Sequence, residues 1–414
     1  MTEIYNSKQI LYLSYDGMTD PLGQSQVLPY LIGLTKEGYT FHLISFEKQQ
    51  RFEQHKEHIQ KICDENGIHW YPNKYSPSSP LISTVWDVMQ MSKLAFSLHQ
   101  KYKFEIVHCR SYISALVGLS LKKKKNVKFV FDMRGFWADE RVDGGLWSLK
   151  HPVFKFVYNF FKKKEIQYFK KSDYTISLTH NGKNEIESWK ELKNDLPKIQ
   201  IIPCCVDLEL FNQEKISFDQ KNELRNKLNL KQDDFVLGYV GSIGTWYMLP
   251  EMLDYFKILK TENPKAKFLF VTGEKPSTIL DLAFEKNISK EDIVITSCLH
   301  KEVPLNISIF DTSIFFIRPT FSKKASSPTK QGEIMAMGIP LVCNSGVGDT
   351  DFVVEKYSAG KVIKEFNDEI YLKSIQTEIE IDKELIKQGA KEFYSLEAGV
   401  KKYLEVYKSL KSKV

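Results

Sequence analysis

Residues 326–340, Ser-Ser-Pro-Thr-Lys-Gln-Gly-Glu-Ile-Met-Ala-Met-Gly-Ile-Pro, combine the side chains and spacing needed to hold a nucleotide. Ser327 suits an N-cap, and Pro328 suits a first helical position because its missing N–H would be unpaired there. The amides of Thr329 and Lys330 would then point outward at the positive end of a helix dipole. With the Lys330 ammonium beside them, a phosphate fits well. Glu333, one turn on, can accept two hydrogen bonds from a vicinal diol such as a ribose. Phosphate and ribose recognition on one short helix point to a nucleotide-bound donor. The same residues also read as an ordinary helix, since Ser-Pro starts are common and Ile334, Met335 and Met337 have core periodicity.

Two glycine-bearing turns add to this. Asp16-Gly17-Met18-Thr19-Asp20-Pro21-Leu22-Gly23-Gln24-Ser25-Gln26 follows a strand-like run and precedes a helical one. Glycine there allows close backbone approach to a ligand, yet the spacing is not GxGxxG, so the nicotinamide-cofactor fingerprint is absent. Gly238-Tyr239-Val240-Gly241-Ser242-Ile243-Gly244-Thr245-Trp246-Tyr247 opens a second series the same way, with N–H and hydroxyl donors for a diphosphate at Gly241, Ser242 and Gly244. A tight turn needed only for packing is the alternative. Asp349-Thr350-Asp351 matches a DxD pattern, but the nine histidines show no metal-ligand spacing, and no metal site is expected.

The elements that must position these residues alternate from end to end. Strand-like runs are Ile10–Ser14, Thr40–Phe46, Glu105–Cys109, Lys128–Asp132, Tyr174–Leu178 and Ile199–Ile202. A second series comprises Phe235–Val240, Lys267–Thr272, Asp292–Thr296, Ser313–Ile317, Pro340–Cys343 and Lys361–Ile363. Helical patterns lie between them, for instance at Gln24–Glu37, Leu81–Lys101, Leu249–Leu259 and Lys330–Met337. The alternation predicts an α/β protein with two doubly wound, Rossmann-like domains facing across a cleft, with ligands beyond the carboxyl ends of the strands. Residues 1–205 form the first domain and residues 206–385 the second. Residues 386–414 form a helical tail able to return across the junction.

At 414 residues the chain fits two domains. Hydrophobic residues at 42 % and charged residues at 27 %, with no run of 18 apolar residues, suit a soluble globular protein. The N-terminus lacks the apolar core of a signal peptide, and the six cysteines lack CxxC spacing, so buried reduced thiols in a cytoplasmic protein are expected. The net charge of +6 names no partner, but its placement does. Lys150–Lys171 holds seven lysines, one glutamate and seven Phe or Tyr residues. Lysines without arginines, and no recognition module, argue against nucleic acid. An anionic membrane surface fits the interleaving, as does a core helix with a solvated lysine face.

Together these motifs resemble the retaining family 4 glycosyltransferases of the GT-B fold, over about residues 9–400. Asp16–Gln26 resembles that family's N-terminal glycine-rich loop. Val107-His108-Cys109-Arg110-Ser111-Tyr112 resembles its histidine-bearing strand end, and Phe131–Trp137 with Asp139-Glu140 its acceptor-facing loop. Ile202-Pro203-Cys204-Cys205-Val206-Asp207 through Phe211 resembles the domain junction, and Ser327–Pro340 the donor-binding segment. The resemblance implies a nucleoside diphosphate sugar as donor, no cofactor and no metal. Glu333 would hold the ribose, Ser327, Thr329 and Lys330 the diphosphate side, and Gly23 would let the first loop close over the leaving phosphate. His108 would stand near the donor sugar, although a histidine at a strand end is also commonly structural. Asp132, Arg134, Asp139 and Glu140 are the polar candidates on the acceptor side, with Asp139 or Glu140 orienting the acceptor or relaying a proton.

Two departures stand out. The family's second glutamate, eight residues before the ribose-binding one, is Ala325 here. Thr245-Trp246-Tyr247-Met248 lacks the usual Arg and Lys, leaving Lys330 and Arg318 to supply positive potential. The activity implied is hexosyl transfer, with retention of configuration, to a glycan or lipid-linked glycan, in the cytoplasm or peripherally on the inner membrane face. A sugar-nucleotide epimerase and a non-catalytic binding subunit remain as alternatives on the same scaffold.

Overall fold

The structure, a computed structural model, describes residues 8–77 and 80–410. It divides into two compact units, one running to Pro203 and including the segment from Gly399, the other spanning Cys204–Ala398.

The first unit is built on seven parallel strands: β1 (Lys8–Ser14), β2 (Tyr39–Glu47), β3 (Ile68–Lys74), β4 (Ile106–Arg110), β5 (Lys128–Asp132), β6 (Tyr174–Ser177) and β7 (Ile199–Ile201). Their order is β3-β2-β1-β4-β5-β6-β7. Nearly every residue of β2, β4 and β5 is buried, as expected when both faces of a parallel sheet are covered. The sequence reading did not include β3. Its Pro72 cannot donate to a ladder, and the strand accordingly lies at the edge, paired with β2 alone.

The second unit carries six parallel strands: β8 (Phe235–Val240), β9 (Ala266–Val271), β10 (Ile293–Thr296), β11 (Thr312–Phe315), β12 (Leu341–Asn344) and β13 (Gly360–Ile363), ordered β10-β9-β8-β11-β12-β13. In each sheet the winding reverses once, between β1 and β4 and between β8 and β11. Ligands of such sheets sit beyond the carboxyl ends of the strands at these points.

The expected helix Gln24–Glu37 is two helices, Pro21–Gln26 and Leu28–Thr35, interrupted at Val27, whose ψ of −65° accompanies a φ of −129°. The C-terminal region breaks similarly. Helix Lys383–Gly389 continues into a wider turn, Ala390–Tyr394, whose neighbour Ser395 bridges Val206. Helix Leu396–Leu410 then follows, and from Gly399 it belongs to the first unit. There Val400 packs so tightly on Gly33 that a Cβ on Gly33 would lie 2.5 Å from a Val400 methyl. No helix among the described residues is long and apolar enough to cross a membrane.

Candidate active site

In the second unit, β8 is followed by Gly241 (φ 103°), exposed Ser242 and Gly244 (φ 46°). Both glycines lie in the left-handed region that other residues avoid. The Tyr239 hydroxyl donates to the Ser242 carbonyl at 2.6 Å and tightens this turn. Residues 246–248 then run antiparallel to 316–318. Met248 N–H donates to Phe316 O and Arg318 N–H to Trp246 O, each at 2.9 Å. This leaves the Arg318 side chain exposed beside β11.

Helix Thr329–Ala336 rises next to that turn. Its N-cap is Pro328 rather than Ser327. The Ser327 hydroxyl instead accepts from Cys204 N–H at 3.1 Å, tying the helix start to the beginning of the unit. The Lys330 ammonium is not displayed at the helix start. It is buried, 3.6 Å from the ring centroid of Tyr247 and 4.0 Å from that of Tyr239. It has no hydrogen-bond partner among the described residues. Burial pushes Lys330 well below the usual lysine range, and Glu333 pulls the other way.

Glu333 is only 13 % exposed, and its Oε1 lies 3.7 Å from Nε2 of His300. That partner raises His300, against burial. His300 rests edge-on to Phe211. Thr329 and Ser327 are half-buried nearby. Ala325 is fully buried, so no polar group occupies that position, while Lys324 is exposed over Phe321. Lys323 lies 3.7 Å from the Trp246 ring centroid. The aromatic pair Trp246–Tyr247, which contains no charge itself, thus carries two lysines on its ring faces. In the DxD stretch, Asp351 accepts from Gly346 N–H at 3.3 Å and Asp349 is buried.

In the first unit, the loop after β1 is fixed by a residue that sequence reading missed. Buried Glu47, at the end of β2, accepts from Met18 N–H at 2.8 Å, Thr19 N–H at 3.0 Å, and the Thr19 and Ser45 hydroxyls at 2.5 Å each. Four donors on one carboxylate hold the loop, and the side chain looks in sequence like any acid ending a strand. Gly23 is required here, because a Cβ would lie 2.2 Å from the Gly17 carbonyl.

His108 is in the interior rather than at the exposed strand end. It is 1 % exposed; Nδ1 lies 2.6 Å from the Tyr407 hydroxyl and Nε2 3.5 Å from Asp132. Burial lowers its pKa, although Asp132 opposes this. The Tyr403 hydroxyl donates to Asp132 at 2.9 Å. Burial works against Asp132 ionising, yet Arg134 and His108 together hold it below the usual range. The adjoining cavity of ≈ 10 Å³, lined by Tyr12, Gln26, His108, Tyr403 and Tyr407 among others, has room for about one water and none for a sugar. The ionic residue at the carboxyl end of β4 is Arg110, 4 % exposed, with Nε 3.3 Å from Asp16. Arg134 (φ 59°) and Gly135 (φ 129°) form a turn after β5.

Asp139 is directed inward, accepting from the Tyr158 hydroxyl and from Lys162, both at 2.8 Å. Lys162 also pairs with buried Glu165, which accepts from the Tyr112 hydroxyl. Burial raises Glu165 to about 7 despite Lys162. Glu140 is half-buried on the same short helix, Trp137–Asp143.

Two family models account for this arrangement in sequence. "Glycosyltransferase Family 4" matches residues 27–210, and "Glycosyl transferases group 1" matches residues 220–392. The chain belongs to glycosyltransferase family 4.

Among curated relatives of this family 4 chain, an alpha-monoglucosyldiacylglycerol synthase from Acholeplasma laidlawii is 24 % identical over 257 residues, 59 % of each chain. The capsular polysaccharide biosynthesis glycosyltransferase CapM from Staphylococcus aureus is 27 % identical over 169 residues, 38 % of this chain and 43 % of that one. The chain thus spans about half the length of the curated relatives it matches. Solved structures show the GT-B fold over nearly the whole length. A glycosyltransferase from Rickettsia africae aligns with a TM-score of 0.72 at 17 % identity, covering 99 % of this chain and 100 % of that one. Anabaena HepE in complex with UDP-glucose aligns with a TM-score of 0.68 at 12 % identity, covering 97 % and 99 %.

Proposed function

We propose that this protein transfers a hexosyl unit from a nucleoside diphosphate sugar to a glycan or lipid-linked glycan acceptor, with retention of configuration and without a metal. One observation carries the donor assignment: Lys330, one turn before Glu333 on a single helix, meets the glycine turn at Gly241. A Cβ added to Gly241 would lie 3.4 Å from the Lys330 Nζ. A diphosphate on the turn's amides would place its charge beside the amine, and Glu333 is spaced to take the ribose diol. The UDP-glucose complex of HepE supports a nucleotide-sugar donor for this fold. Leaving-group stabilisation by oriented amides and a cation is the main catalytic requirement of such chemistry.

Substituting Glu333→Ala and, separately, Lys330→Ala should each lower turnover of the true donor by at least about tenfold, the loss of one charged hydrogen bond. Unchanged donor turnover in both would end the assignment. EDTA should leave the rate unaltered.

The acceptor side is proposed to work at an anionic membrane surface. Helix Pro152–Lys171 and the loop before it expose Leu146 (62 %), Val153 (44 %) and Phe156 (72 %) beside Lys150, Lys155 and Lys163, whereas the helix's one acid, Glu165, is buried. Apolar insertion with cations at headgroup level is how interfacial helices bind. The lipid product named for the Acholeplasma relative is in keeping with this. Co-sedimentation should be stronger with anionic than with neutral vesicles, and Phe156→Ser with Lys155→Glu should abolish the difference. Equal recovery on both vesicles would refute the anionic surface.

A further inference from the structure

Lys330 is the most unusual charge-bearing group in the second unit. Its Nζ is enclosed by two ring faces and Gly241, with no hydrogen-bond partner among the described residues. The groups facing it come from three elements: Tyr239 from β8, Tyr247 from the turn that follows, and Glu333 from its own helix. Burial raises both tyrosines, keeping them neutral, with Glu274 acting on Tyr239, and Glu333 and Cys204 on Tyr247. Among the described residues Glu333 is the sole carboxylate acting on the amine, and it is turned toward His300. The ring quadrupoles favour an ammonium, but they replace only part of the hydration lost on burial. A cation here lacks a close counter-ion until an anion arrives on the Gly241 side.

We infer that Lys330 takes up a proton when a nucleoside diphosphate binds, so that the ligand itself brings the site to full positive charge. This rests on the donor reading above and goes further. The proton comes from solvent, the Nζ lone pair forms the new N–H bond, and the diphosphate supplies the counter-charge. Burial's downward push on the amine agrees with a neutral resting state. The site would then discriminate against neutral sugars that lack the diphosphate, because only an anion compensates the protonated amine.

The test is titration calorimetry on the full chain near pH 8, with UDP, GDP and dTDP, in buffers of low and high ionisation enthalpy. The wild type should take up a substantial fraction of one proton per nucleotide bound. Lys330→Arg, charged throughout, should bind without uptake. Lys330→Met should bind at least about tenfold more weakly, also without uptake. His300→Gln should retain the uptake, which separates Lys330 from the imidazole across Glu333. Nucleotide binding by the wild type with no uptake, or equal uptake in Lys330→Arg, would overturn the inference while leaving the donor site standing. Failure of the wild type to bind any of the three would overturn the donor reading, and the inference with it.

Discussion

Lys162 and Lys330 are both largely withdrawn from solvent, yet their surroundings are opposite. Lys162 bridges two carboxylates, Asp139 and Glu165, and these raise its pKa against burial. Lys330 has aromatic faces in place of such partners, and burial lowers it. A lysine with its counter-ions already in place is part of the scaffold, whereas one without them is poised for an anion. The contrast also reassigns Asp139. Its carboxylate is engaged by Lys162 and Tyr158, so the short helix Trp137–Asp143 is anchored to helix Pro152–Lys171 through it.

The largest effect that would break this comparison is on stability. Lys162→Met should cost about 3–5 kcal/mol, because it strands two buried carboxylates. Urea denaturation would read this as a lower midpoint at unchanged slope. A cost under about 1 kcal/mol would mean that the two lysines are alike. Lys330→Met should behave oppositely, changing stability by less than about 1 kcal/mol or raising it, since a well-packed apolar chain replaces an uncompensated amine. A large loss there would make Lys330 structural.

The smallest effect sharpens the contrast through pH. Glu165 has its folded pKa raised to about 7 from the ordinary 4.5. For a carboxyl raised on folding, the stabilisation is complete below the unfolded value and is lost as pH rises through the folded one. The stability of wild type relative to Glu165→Gln should therefore decline between about pH 4.5 and 7 and level off above. A flat difference across that range would show that Lys162 keeps Glu165 ionised throughout.

Much of the fold was legible because the strands of a covered parallel sheet are short, apolar and regularly spaced. Among the described residues, twelve of the thirteen strands answer to a run read from sequence, two of them (Lys128–Asp132 and Phe235–Val240) with the same ends and the rest with ends shifted. The exception, β3, is polar, contains Pro72, and owes its place to pairing with β2. The glycine turns were visible as sequence, but their supports were not. Glu47 acts on Met18, 29 residues away, and nothing local signals it. His108 and Arg110 share one strand, and period-two alternation puts them on the same face without telling which one reaches its end. Likewise, the helix Thr329–Ala336 was readable, but not that Tyr239 and Tyr247 would enclose Lys330.

The tail helix has a consequence for biosynthesis. Tyr407 reaches His108 across 299 positions of chain, and Tyr403 reaches Asp132 across 271. During translation the first sheet therefore emerges long before the segment that seals its interior. Its tyrosine-lined interior must wait, incompletely covered, while the entire second unit is made. Such late closure lengthens the interval in which a nascent chain exposes apolar surface, so a ribosome-associated chaperone would have its longest engagement with this half of the molecule.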